Sequence, residues 1–133
     1  LMLVEMCALY NSRSINIMDL LEKIKSMCGN LLDVGHSTYY KGIDGANQMQ
    51  QKIDFLRKNP LKKIAGVKVE LVTDYLLDDT GLEKSNFITY NLADNQRVIV
   101  RPSGTEPKLK FYISAKSNEE AAKFLTYMQT ILK

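Results

Sequence analysis

The spacing of apolar residues changes several times along the chain, and each change marks an element. Between Leu1 and Tyr10 the residues Leu1, Met2, Leu3, Val4, Met6, Cys7, Ala8 and Leu9 are apolar almost all round, which predicts a helix buried on most sides. After the polar break Asn11-Ser12-Arg13-Ser14, residues Ile17, Leu20, Leu21, Ile24 and Met27 recur at helical spacing. Gly29-Asn30 would end that second helix as a left-handed C-terminal cap. Residues 1–30 therefore read as a helical hairpin. Asp33 to Lys41, rich in Thr and Tyr, reads as a strand, and Gly42 to Gly45 as a turn. Ala46, Met49, Ile53 and Leu56 then share one helical face, and Asn59-Pro60 stops that helix.

Strand periodicity follows. Val67, Val69 and Leu71 alternate with Lys68 and Glu70, and Asp74 to Asn86 is a polar loop broken by Gly81. Phe87–Leu92 and Arg97–Arg101 read as strands joined by the hairpin turn Ala93-Asp94-Asn95-Gln96. In Lys108–Lys116 the residues Leu109, Phe111, Ile113 and Ala115 form a core face, and Lys108, Lys110, Tyr112 and Ser114 the other. Ser117 and Glu120 match a capping box opening a helix that buries Ala121, Phe124, Leu125, Met128 and Leu132. The predicted class is α+β. A mostly antiparallel, four- to five-stranded sheet carries the helices Ala46–Lys58 and Glu119–Leu132 on one face, preceded by the hairpin.

Composition narrows the setting. With 133 residues, 45% hydrophobic and 25% charged, the chain suits one globular domain or a domain plus part of another. The net charge of +3 is dispersed, whereas non-specific nucleic-acid binding needs a denser basic face. Cys7 and Cys28 lack framework spacing, so a reduced, cytoplasmic setting is expected. No stretch is long and apolar enough to span a bilayer, and none resembles a cleaved signal. The chain opens at Leu1 inside a helical pattern without a cap, which suggests a piece of a longer protein.

The densest chemistry lies between the last two strands, in Arg101-Pro102-Ser103-Gly104-Thr105-Glu106-Pro107-Lys108. Pro102 and Pro107 fix two backbone angles, and Gly104 permits conformations closed to other residues. A guanidinium fork, two hydroxyls and an unhindered glycine amide within one loop suit an anion such as phosphate. The competing reading is a proline-braced turn with a solvated arginine.

This loop, followed by Lys110-Phe111-Tyr112, resembles the phosphate-binding loop in the last domain of the α-D-phosphohexomutases, the phosphoglucomutase/phosphomannomutase family. The hairpin, Tyr39-Tyr40-Lys41-Gly42 with Asp44-Gly45, Arg57-Lys58-Asn59-Pro60, Ile64 to Val69 and Val72-Thr73-Asp74-Tyr75 are similar to the same family in the same order. The resemblance implies a TATA-binding-protein-like C-terminal domain over residues 31–133, with residues 1–30 closing the preceding domain or linker. It implies that Arg101, Ser103, Gly104 and Thr105 bind the phosphate of a sugar phosphate, with Lys110 at the position of a second cation. It implies three further domains, a phosphoserine, Mg²⁺ and a hexose bisphosphate activator in the whole enzyme, an isomerase of carbohydrate metabolism.

The family's phosphoserine, magnesium and sugar-reading loops do not occur in these 133 residues, so neither a catalytic residue nor a metal ligand is assigned. The sugar is left open among glucose, mannose, glucosamine and pentose phosphates. Asp74, Asp78 and Asp79 read as a solvated loop rather than metal ligands, His36 as structural, and Tyr39 and Tyr40 as sheet packing. Two alternatives stand beside the mutase reading: a nucleic-acid-binding module using an open sheet face, and a stand-alone sensor of sugar phosphates.

Overall fold

A computed structural model describes the backbone of residues 1–133 and every side chain except that of residue 28. The chain divides into two compact units, Leu1–Leu31 and Leu32–Lys133. The first is the hairpin α1 (Met2–Ser12) and α2 (Ile17–Cys28). Asn16 caps α2 through its side-chain oxygen, which accepts from the Met18 amide at 2.9 Å. Two sequence expectations change here. No residue of α1 is buried, because a helix apolar all round cannot hide every face against one neighbouring helix. Gly29 does adopt a positive φ of 92°, but its ψ of 144° takes the chain onward extended rather than into the left-handed cap.

The second unit is a six-stranded sheet in the order β1-β6-β5-β4-β3-β2, antiparallel at every junction. Its strands are β1 (Leu32–Tyr39), β2 (Lys63–Ile64), β3 (Val67–Asp74), β4 (Ile88–Leu92), β5 (Arg97–Pro102) and β6 (Lys108–Ala115). Four to five were expected; the additional strand, β2, is two residues long. It is joined to β3 by Ala65 and Gly66, both at positive φ (47° and 88°), as a two-residue primed turn requires. The sequence hid this turn because alanine rarely takes that conformation. The turn between β4 and β5 was legible, since Asp94 and Asn95 tolerate the φ of 60° and 61° found there.

The helices α3 (Gly45–Lys58) and α4 (Asn118–Ile131) cover one face of this sheet. Between them and the strands lie Ile53, Leu56, Phe124 and Met128 with Val98, Val100, Leu109, Phe111 and Ile113, all 1% exposed or less. Each such side chain stabilises the fold by about 1.5–3 kcal/mol, which makes this layer the main source of order. The capping box is shifted by one residue. Ser117 Oγ accepts from the Glu120 amide at 3.2 Å, while Glu120 reaches back to the amide of Lys116, not Ser117.

Register explains two further departures. A bulge between Val69 and Leu71 turns Leu71 to the uncovered face and Val72 toward the helices, so the strict alternation read from the sequence breaks at Glu70. On β6, Ser114 belongs to the uncovered face as expected, yet it is buried, donating to Asp33 of β1.

One close approach sets where the loop after β5 lies. A Cβ at Gly45 would overlap the Tyr40 carbonyl oxygen and sit 3.2 Å from Pro107 Cβ, so only glycine lets α3 begin against this segment. The Tyr40 amide donates to the Pro107 carbonyl at 2.8 Å, extending the β1–β6 ladder by one bond. Gly45→Ala is therefore expected to destabilise the unit by about 1–3 kcal/mol, read as a lower denaturant midpoint. An unchanged midpoint would show that this approach is not needed.

Tyr90 supplies a second test. Its hydroxyl is buried without a hydrogen-bond partner among the described residues, and burial, with the Asp74 charge as a smaller cause, raises the phenol's pKa. A raised folded-state pKa keeps this contribution intact below the ordinary tyrosine range and loses it as pH climbs above about 10. Tyr90→Phe removes no bond and is expected to hold or raise the melting temperature and to lessen that alkaline loss. A loss of about 1.5 kcal/mol or more would reveal a missed partner.

Candidate anion-binding site

The side chains of β5 and β6 are sorted by the core. Val98, Val100 and Pro102 of β5 and Leu109, Phe111 and Ile113 of β6 are buried beneath the helices. Period-two alternation then sends Arg101 and Lys110 to the uncovered face. They are direct cross-strand partners, one pair before the loop opens. Like charges in this position oppose one another by about 0.2–1 kcal/mol. Among the described residues neither takes part in an ion pair, and the Lys110 charge is felt by the Glu106 carboxylate more weakly than that of Lys108.

The loop itself is tied down at its far end. The Ser103 amide donates to the Lys108 carbonyl at 2.9 Å, and the Lys108 amide to the Glu106 carbonyl at 2.8 Å. Lys108 Nζ pairs with the Glu106 carboxylate, and sits 5.0 Å from the Tyr39 ring centroid. Ser103 Oγ accepts from the Thr105 amide at 3.5 Å, a long bond that folds the loop back on itself. Glu106 and Lys108 neutralise each other. The net positive charge here comes from Arg101 and Lys110.

A depression of about 250 Å³ is lined by Arg101, Pro102, Ser103 and Gly104 on one side. Met49 and Gln50 of α3, with Ser85 and Asn86, line the other. Lys110 borders a separate depression of about 310 Å³, beside Gly35, Ser37 and Tyr112. Three of the five expected residues, Arg101, Ser103 and Gly104, thus share one hollow. Lys110 is Arg101's cross-strand partner but lies outside that hollow, and the exposed Thr105 lines neither. Gly104 corrects an expectation. It has no positive φ, and a Cβ on it would meet nothing within 4 Å, so the backbone does not demand glycine there. What the missing side chain leaves is open space beside the cations.

The other candidates have structural partners. Asp74 accepts from Arg57 Nε at 2.7 Å and from the Leu76 amide at 3.0 Å, so it is a buried fastening rather than part of a solvated loop. Asp78 accepts from the Asp74 amide at 2.7 Å, and Asp79 from the Gly81 amide at 3.3 Å. His36 Nε2 lies 3.1 Å from Gln129 Nε2 of α4. Tyr39 is exposed on the uncovered face with Lys108 over its ring, so it does not pack within the sheet as expected. The wall formed by Gln50, Ser85 and Asn86 was invisible to sequence reading, because only the fold brings α3 and the 75–86 loop to Arg101.

Fold and site together define an α+β domain with an arginine-lined hollow at the β5–β6 loop of its sheet. The family model for the phosphoglucomutase/phosphomannomutase C-terminal domain matches residues 53–129, a span that includes the whole loop. The chain belongs to this family. It is 32% identical over 119 residues to a probable phosphomannomutase of Haemophilus influenzae, covering 81% of this chain and 24% of that protein. It is 38% identical over 109 residues to a phosphoglucomutase of Staphylococcus aureus strain MRSA252, and 34% identical to that of strain N315, covering 74% of this chain and 20% of each. The chain thus spans a fifth to a quarter of the length of these relatives. No helix among the described residues is long and apolar enough to cross a membrane.

The tether makes a pH prediction. The hydrogen bond and charge of Lys108 hold the Glu106 carboxyl below the usual range, and Glu106 raises Lys108. A lowered carboxyl contributes above its ordinary pKa and is lost as pH falls through the lowered value; a raised amine is lost as pH rises through its own. An NMR titration should find Glu106 more acidic than an isolated glutamate, and Lys108→Met should move it most of the way back, the weaker pull of Lys110 remaining. A normal Glu106 in the unaltered chain would contradict the tether.

Proposed function

We propose that this chain is the substrate-phosphate-binding C-terminal domain of a phosphosugar mutase. The whole enzyme would interconvert hexose 1-phosphate and 6-phosphate through a phosphoserine and a bisphosphorylated intermediate. The observation that carries this reading is the Arg101–Lys110 pair: like charges on directly opposed strand positions, neither in an ion pair among the described residues. A bound phosphate would relieve that repulsion. Arg101 offers a planar fork to its oxygens, Lys110 a point charge, and Ser103 and Thr105 hydroxyls, beside the open space at Gly104. These groups bind and orient. By gripping the non-reacting phosphate, they would allow either end of the intermediate to face a reactive serine elsewhere in the enzyme, an advantage of positioning.

By itself the chain would hold a sugar phosphate without turning it over. Its partners would be that substrate and the three remaining domains of the enzyme, in a cytoplasmic setting. Among the described residues no three His, Cys, Asp or Glu side chains gather where they could hold a metal ion. The magnesium implied by the family resemblance would therefore have to be held by other parts of the enzyme.

In the full-length enzyme, Arg101→Ala is expected to raise KM and to lower kcat/KM by about 10- to 100-fold, the loss of one or more charge-assisted bonds, with the melting temperature unchanged. Unaltered turnover of the sugar phosphate would sink the assignment. Tight oligonucleotide binding that weakens steeply with salt, with no affinity for hexose phosphate, would favour the nucleic-acid alternative.

A further inference from the structure

The wall opposite Arg101 carries a donor whose direction is fixed from behind. Gln50 is engaged already, its Nε2 donating to Asp54 Oδ1 at 3.0 Å. Asn86 is different. Arg57, with 9% of its side chain exposed, donates Nε to Asp74, Nη1 to Asp54 at 3.2 Å and Nη2 to Asn86 Oδ1. A guanidinium has donors only, so the atom of Asn86 that faces it must be the amide oxygen. The two N–H bonds of Asn86 Nδ2 then belong to the other side of the amide, and among the described residues no protein acceptor meets them.

The backbone that carries Asn86 is braced as well. The Ser85 amide donates to the Tyr75 carbonyl and the Tyr75 amide to the Phe87 carbonyl, both at 3.1 Å. The Tyr75 and Phe87 rings stack with centroids 4.2 Å apart. Asn86 borders the same hollow as Arg101, Ser103 and Gly104. At about 250 Å³ that hollow lies below the ~300–1,000 Å³ of sites enclosing a whole small ligand, a size for one end of it.

We infer that Asn86 is a further ligand-binding residue of the Arg101 site, its side-chain Nδ2 donating to an oxygen of the bound phosphate, with Arg57 as its positioning residue. The inference rests on the phosphate-binding reading above and adds a donor from the opposite wall. The hollow then becomes two-sided, with charge from Arg101 of β5 and a neutral amide from the 75–86 loop.

The test is a titration of the ¹⁵N-labelled chain with inorganic phosphate at constant ionic strength. The side-chain NH₂ resonances of Asn86 should shift along the same binding curve as the Ser103 and Gly104 amides. Asn86→Asp keeps an oxygen for Arg57 but replaces the donor, and should weaken phosphate binding by about tenfold or more at an unchanged melting temperature. Shifts at Ser103 and Gly104 without any at the Asn86 side chain would overturn this inference and leave the phosphate site standing. No shift at any of these residues would overturn the phosphate reading itself. The wild-type titration decides the matter even if Asn86→Asp folds poorly.

Discussion

Pairing of β5 with β6 is the constraint on which the rest of this unit depends. Neither strand is at an edge of the sheet, and their inward residues, from Val98 and Val100 to Leu109 and Phe111, are the floor on which both helices rest. Once that floor is buried, alternation leaves Arg101 and Lys110 no choice of face. A slip of one residue would exchange the buried valines and leucine for these cations, at a cost of several side chains of about 1.5–3 kcal/mol each. The cationic pair is thus enforced by the core. Its repulsion is tolerated because the core is stronger.

Around this pair the chain places devices of different kinds. Pro107 is held by the Tyr40 amide and approached by Gly45, which locks the far end of the loop to the start of α3. Lys108 and Glu106 offset each other's charge, which leaves Arg101 as the unpaired cation lining the hollow among the described residues. On the other side, Arg57 joins the end of α3 to Asp74 at the end of β3 and to Asn86. A buried pair of this kind contributes little net stability, and removing one partner would strand the other. Its value lies in fixing where the loop before β4 sits.

Much of this was legible in the sequence, for identifiable reasons. The alternation of Leu109, Phe111, Ile113 and Ala115 gave the core face of β6, because a half-buried strand has no other way to hide them. The residues of the anion loop stood out by chemistry, since Arg, Ser, Gly and Thr within five positions have few uses in a plain turn. What escaped were features set by contact across the chain. The bulge at Glu70 turned Leu71 outward, Ala65 took a conformation uncommon for alanine, and Asp74 found Arg57 seventeen residues away. Gly104 misled in the other direction: it suggests backbone freedom, yet its φ is ordinary and only the space beside it is unusual.

The most direct test is a crystal structure of the chain with a hexose phosphate bound. The account places the phosphate against Arg101 and Ser103, with Lys110 alongside and the sugar directed away from the sheet. A sugar phosphate bound elsewhere on the unit, with the hollow at Arg101 left to solvent, would contradict it.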